Sequence, residues 1–375
     1  MWMWERGCIK MTIEWLAGNR LRGTTAEKPA LGLPSGSVGG WVEVGRTTLG
    51  SSSSTITVSS LANKRYYMAL LHNSGQTGSN DGLLRVGNGS VDTGSNYSRR
   101  ISDSGGTDNT AINQTSAMFG VHPGGTTPLL STMYISNLAS QEKLMIGHTV
   151  SQDSSGSGEN PKRSEQVNKW VNTSAVIDTI QAFLPTQTYN ANSELVVLGW
   201  DPADSHTTNF WEELASVDWA SGDSISSGTI TAKKYLWVQI NWQNTVSHYA
   251  NLYFNADSNG ANYASRQSVN GTAEQTSAPH NSGDPLFRVV GEGAGSIFLN
   301  NYLNMFIINN SANEKLIIAN GIQITTAGAG TAPDVRNEAV GKWANTSEQI
   351  TNITLKKTAS QGNFSGGTMK VWGSN

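Results

Sequence analysis

"VNKWVNTSAVIDTI", residues 167–180, returns as "VGKWANTSEQITNI", residues 340–353. The two tryptophans stand 343 − 170 = 173 positions apart. A short catalytic motif is rarely needed twice at such a distance, whereas a folding unit copied end to end produces this pattern. Landmarks on both sides keep one order. "MYISNLASQEKLMIG" (133–147) answers to "MFIINNSANEKLIIA" (305–319), and "NKRYYMALL" from Asn63 answers to "AKKYLWVQI" from Ala232. "GSNYSRR" ending at Arg100 matches "GANYASR" ending at Arg266. The openings at Trp41 and Trp211 and the closings "ELVVLGW" and "TMKVWG" agree as well. The offset drifts only from 266 − 100 = 166 to 373 − 199 = 174, which loop insertions between registered strands produce. The reading is a duplication: an arm over 1–40, a first repeat over 41–200, a linker over 201–209 and a second repeat over 210–375.

The periodicity inside each copy is that of strands. "TITVSSL" alternates Ile56 and Val58 with Thr and Ser, and "YLWVQINW" puts Leu236, Val238, Ile240 and Trp242 on one face. Short runs rich in β-branched residues, bounded by Gly, Asn or Ser, fill the rest. The best helical candidates are "RSEQVNKW" and "RNEAVGKW", each one or two turns long. The expected fold is all-β: two tandem antiparallel β-sandwich domains, jelly-roll-like, behind an extended N-terminal arm.

Composition narrows the function classes. Charged residues are 14% of the 375, well below the ~25% of average globular proteins. A formal net charge of −3, with no Lys/Arg tract, argues against nucleic acid or an acidic membrane as partner. Cys8 is the single cysteine, so the fold rests on packing and hydrogen bonds. No apolar run reaches the ~18–20 residues that span a bilayer, and the opening residues lack a secretory-signal pattern.

Trp170 and Trp343 each precede Asn-Thr-Ser, a turn, and then a strand. A Trp fixed at an element boundary in both copies reads as a plug for the sandwich end, its indole N–H bonded to a loop carbonyl, rather than as a sugar platform. Tyr97 and Tyr263, ending "SNY" and "ANY", read as turn tyrosines pinned into the core. These four are the expected structural anchors of the repeat.

"KWANTSEQITNITLKKTASQGNFSGGTMKVWG" resembles the C-terminal strand pair of β-sandwich modules in virion structural proteins of tailed bacterial and archaeal viruses. Trp343, Thr346, Ile350, Ile353, Leu355, Asn363, Phe364, Gly367, Thr368 and Gly373 carry the resemblance. The first copy departs from the pattern at "FLPTQTYNANSELVVLG", where Tyr189 takes the Phe place. The resemblance implies a non-enzymatic tail, fibre or appendage component, with a capsid protein of two fused jelly rolls or a carbohydrate-binding module as alternatives. It implies residence in the virion, assembly with copies of itself (a trimer being common among fibres) and with other virion proteins, and contact with a host-surface glycan as a further partner.

Candidate chemistry is sparse. The six histidines form no metal-ligand spacing, and no nucleophile elbow or phosphate loop is present. No catalytic residue, metal or cofactor is expected. "DSNGANY" (257–263) offers oxygens at Asp257, Asn259 and Asn262 but lacks the carboxylates of a calcium loop. The linker's Asp201, Asp204 and His206 read as a polar hinge. For carbohydrate, the candidates are Trp237 and Asn241 on the polar face of their strand, with Tyr249 in the next loop, since aromatic faces beside amides suit sugars.

Overall fold

The computed structural model describes residues 40–121, 127–201, 209–244, 250–280, 300–357 and 363–375, with the backbone of Glu14–Leu16, Arg20–Arg22 and Arg288–Val289. Glu14–Leu16 and Arg20–Arg22 pair as a small hairpin within the expected arm. The rest of that arm, linker residues 202–208 and Tyr249 lie outside the described residues.

Alternation in the sequence becomes alternation in burial. Leu236, Val238, Ile240 and Trp242 all enter the core of the second sandwich, while Ile56 and Val58 enter that of the first. Each half contributes an eight-stranded sheet and a smaller one. The first large sheet runs Val42–Thr48, Glu194–Trp200, Tyr66–Asn73, Leu129–Ser136, Lys143–Ser151, Lys162–Trp170, Tyr97–Asp103, Asn109–Gln114. The second runs Glu212–Trp219, Phe364–Ser374, Tyr235–Asn244, Asn300–Ile308, Lys315–Ile324, Val335–Trp343, Tyr263–Val269, Gln275–Ser277. The smaller sheets are Ala117–Gly120, Gly82–Asn88, Thr179–Phe183, Thr55–Val58, with the short Ser90–Val91 added beside Gly82–Asn88, and, correspondingly, Arg288–Val289, Ala250–Phe254, Ile353–Lys357, Ser224–Ser226.

Numbering twelve shared strands per half in chain order, both halves read 1-12-3-8-9-10-5-6 and 7-4-11-2. Setting aside flanking strands 1 and 12 and the 8–9 hairpin leaves sheets 3-10-5-6 and 2-11-4-7. That interleaving is jelly-roll-like, with consecutive strands crossing between two facing sheets and the 8–9 hairpin inserted between strands 3 and 10. The halves therefore agree strand for strand.

The two segments expected to form helical turns are strands, Lys162–Trp170 and Val335–Trp343. In the first of them the inward positions explain the misreading. Ser164, Gln166 and Asn168 face in, so the buried side is polar and the period of two is hidden. Gln166 Nε2 donates to Phe119 O at 3.0 Å, and the Asn168 amide pairs with both Met118 N and Met118 O. These side chains complete the hydrogen bonding of Ala117–Gly120, an edge strand of the small sheet.

A third apolar cluster lies outside both sandwiches. Met68, Leu70, Leu130, Val150, Val196 and Leu198 of the first large sheet pack with Tyr235, Phe306, Ile308, Leu316, Ile318, Val340 and Trp372 of the second. The large sheets are thus stacked face to face, giving four layers: small, large, large, small.

Candidate functional site

Two kinds of built feature stand out: a staple that occurs once per sandwich, and the seam between the sandwiches. Each staple starts from an Asp in the loop before the Tyr strand. Asp257 Oδ2 accepts from Trp343 Nε1 at 2.8 Å and from Asn262 Nδ2 at 2.8 Å, while Oδ1 accepts from the Asn259 amide. Asp92 Oδ2 accepts from Trp170 Nε1 at 2.7 Å and from Asn96 Nδ2 at 2.8 Å, and Oδ1 from the Gly94 amide. The tyrosines close the loop: Tyr263 Oη donates to Asp257 O, and Tyr97 Oη to Val86 O. Burial alone would raise the Asp92 carboxyl, but its donors Trp170, Asn96 and Gly94 outweigh that and hold it below its ordinary range.

A buried lysine stands over each tryptophan. Lys143 Nζ lies 5.7 Å from the Trp170 ring and donates to Gln141 O and Asn172 O. Lys315 does the same over Trp343, donating to Asn313 O and Asn345 O. Burial pulls the Lys315 ammonium down to about 8. The indole partner is therefore a carboxylate rather than the loop carbonyl expected from sequence. In "DSNGANY" the Asp257 carboxylate takes these three donors and Asn259 Oδ1 accepts from the Ala261 amide, so the loop is braced by its own hydrogen bonds. Among the described residues no group of three or more His, Cys, Asp or Glu is placed to hold a metal ion.

The seam carries charge at two places around its apolar centre. Glu194, from the first half, accepts from Tyr235 Oη at 2.8 Å and Lys234 Nζ at 3.0 Å of the second, with Arg46 at 3.3 Å. Burial would raise this carboxyl, but the Thr48 hydroxyl, Lys234 and Tyr235 outweigh it and hold it at about 2. On the other side, Arg163 bonds Glu274 at 2.9 Å, Glu165 at 2.8 Å and Glu338 at 3.4 Å. Arg266 adds a bond to Glu274 at 2.6 Å and one to Pro161 O. The buried Arg163 guanidinium is thus shared by three carboxylates, with Arg266 also on Glu274 and Arg336 on Glu338. Burial first, and then the Glu338 and Glu274 charges, push Glu165 up to about 7 against the opposing pull of Arg163. Lys342 Nζ crosses the seam to Gln152 O and Ser154 O.

Of the sugar candidates, Tyr249 lies outside the described residues, and Trp237 does not present an open ring. Trp237 lies at the seam, stacked on Phe306 at 5.7 Å, with Trp211 at 5.7 Å and Trp372 at 5.1 Å. Its indole donates to Asn304 Oδ1 at 2.6 Å. The strand face that looked solvent-directed in the sequence is the face turned toward the other sandwich. Asn241 lies on that face between Tyr302 and Thr368. A polar groove of about 560 Å³ opens beside the seam between Asn190–Asn192 and Asn310–Asn313, with Lys234 its charged group.

The seam was missed in the sequence because outward apolar residues such as Leu316 and Ile318 read as one more buried strand. The signal was present: "KLIIA" is apolar on both faces, as a strand covered on both sides must be. Comparison with models of known protein families finds no match, and a search of curated proteins finds none either.

Proposed function

We propose that this chain is a structural component of a virus particle, acting through shape and contact rather than through a reaction. The observation that carries the reading is the seam, where two jelly-roll-like sandwiches are joined by a continuous apolar cluster flanked by buried ion pairs. Joined in this way, the two sandwiches make a stiff block suited to building walls. The resemblance of the 343–373 segment to virion sandwich modules supports the same class.

Two placements fit such a block, a tail, fibre or other surface appendage and a capsid shell. Modules of a fibre follow one another end to end, whereas here the large sheets stack laterally. The lateral stacking favours a shell subunit of two fused jelly rolls. The chain then works in the virion, with copies of itself and other virion proteins as partners. A glycan-attachment role is the weaker reading, because the Trp237 ring is packed among Phe306, Trp211 and Trp372.

The test is cryo-electron microscopy and peptide mass spectrometry of particles released from cells that carry the gene. The four-layer block is expected in the density at shell-like stoichiometry. Absence of its peptides from purified particles would overturn the proposal.

A further inference from the structure

The seam joins unlike surfaces of two like domains. The first sandwich offers one region of its large sheet, around Leu130, Val150 and Arg163. The second offers a different region, around Phe306, Leu316, Ile318 and Val340. Strand registers define the equivalents. Tyr134 pairs with Ile146 and Ile146 with Val167, as Phe306 pairs with Ile318 and Ile318 with Val340. Leu130 pairs with Val150 and Val150 with Arg163, as Tyr302 pairs with Ile322 and Ile322 with Arg336.

Each sandwich therefore carries both surfaces; the seam takes mainly one from each, and from the row of Tyr134 and Ile146 in the first sandwich it also buries Met68 and Leu198. The part of the acceptor surface of the first sandwich around Tyr134, Leu144, Ile146 and Val167 is left over, with Leu144 at 57% and Ile146 at 56% exposure, where Leu316 and Ile318 are at 0% and 4%. The donor surface of the second is left over too, with Tyr302 and Ile322 exposed where Leu130 and Val150 are buried.

The charges repeat with the same logic. Lys342–Glu314 is buried at the seam, and its equivalent Lys169–Glu142 is open. Arg266–Glu274 is covered by Arg163, while the equivalent Arg100–Asp108 faces solvent. Arg336, the equivalent of Arg163, is 63% exposed.

We infer that a second copy of this chain docks the Tyr302–Ile322–Arg336 surface of its second sandwich onto the Tyr134–Ile146–Val167 surface of the first. The contact repeats the apolar part of the internal seam between molecules, with Arg336 reaching toward the exposed Asp108 as Arg163 reaches Glu274. It is heterologous, so it propagates head to tail into a ring or a chain of molecules. It is also weaker than the seam, because Gln239 and Lys370 stand where the first sandwich has Leu70 and Val196. Association is then reversible and concentration-dependent. The inference rests on the duplication and its seam and holds whether or not the chain belongs to a virus particle.

The experiment is sedimentation velocity on the full chain and on two single variants, Ile146→Asp and Ile322→Asp. Both sites are exposed, so folding is retained, and circular dichroism with thermal melts checks it. Wild type is expected to grow in mass with concentration, and each variant alone to stay monomeric. An equimolar mixture of the two variants should give a heterodimer and nothing larger, since one intact donor meets one intact acceptor. Wild type that remains monomeric at all concentrations overturns the inference. So does an Ile322→Asp variant that associates as wild type does, which would make the exposed strip pair with itself.

Discussion

Asp257 binds Trp343, Asn262 and the Asn259 amide at once, so the indole N–H is one of three fixed donors on one carboxylate. Trp343→Phe removes that donor and part of a fully buried ring. The expected loss is about 2–4 kcal/mol, combining a hydrogen bond to a charged group with a partly filled cavity. Chemical denaturation of the variant measures it, and Trp170→Phe should give a loss of similar size through Asp92. Glu165 sets a second expectation. Its folded-state value, about 7, lies above the ordinary 4.5, so its contribution is full below pH ~4.5 and is lost as pH rises through ~7. Glu165→Gln should therefore raise the melting temperature at pH 8 and leave it nearly unchanged at pH 4. An equal effect at both values would show that the group's charge is not what matters.

At the scale of the strand, legibility depended on what faced inward. Where Leu236, Val238 and Ile240 faced in, alternation was plain in the sequence. Where Ser164, Gln166 and Asn168 faced in, the strand passed for a helical turn, because the pattern cannot see a hydrogen-bonding edge strand brought from far along the chain. Asn168→Leu is expected to cost about 1–3 kcal/mol, since it leaves the buried Met118 N–H and C=O unpaired. Hydrogen exchange should show the loss as faster exchange confined to Ala117–Gly120 and its neighbours. The Trp tether was half legible: a buried Trp at a fixed place in both copies could be read, but its carboxylate partner, 343 − 257 = 86 residues away, could not. Trp237 misled for a related reason. A sheet face with mixed Trp, Gln and Asn looks solvent-facing until another sheet is laid on it.

For the whole molecule, the duplication gave the two sandwiches, but their stacking followed from residues apolar on both faces of their strands. The seam makes stability depend on groups from both halves. Glu194 is held at about 2, below its ordinary 4.5, so it stabilises above pH ~4.5 and that contribution is lost as pH falls through ~2. Glu194→Gln should flatten the acid limb of a stability–pH curve and lower stability at pH 7. The contact between the halves is tested most directly by a double-mutant cycle on Arg163 and Glu274, which are 2.9 Å apart across the seam and both buried. Arg163→Ala and Glu274→Ala should each cost about 3–5 kcal/mol, and the double variant well under their sum, with a coupling of about 1–3 kcal/mol in denaturant titrations. Strictly additive losses would mean that the two sandwiches do not meet there, and the stacked architecture would be wrong.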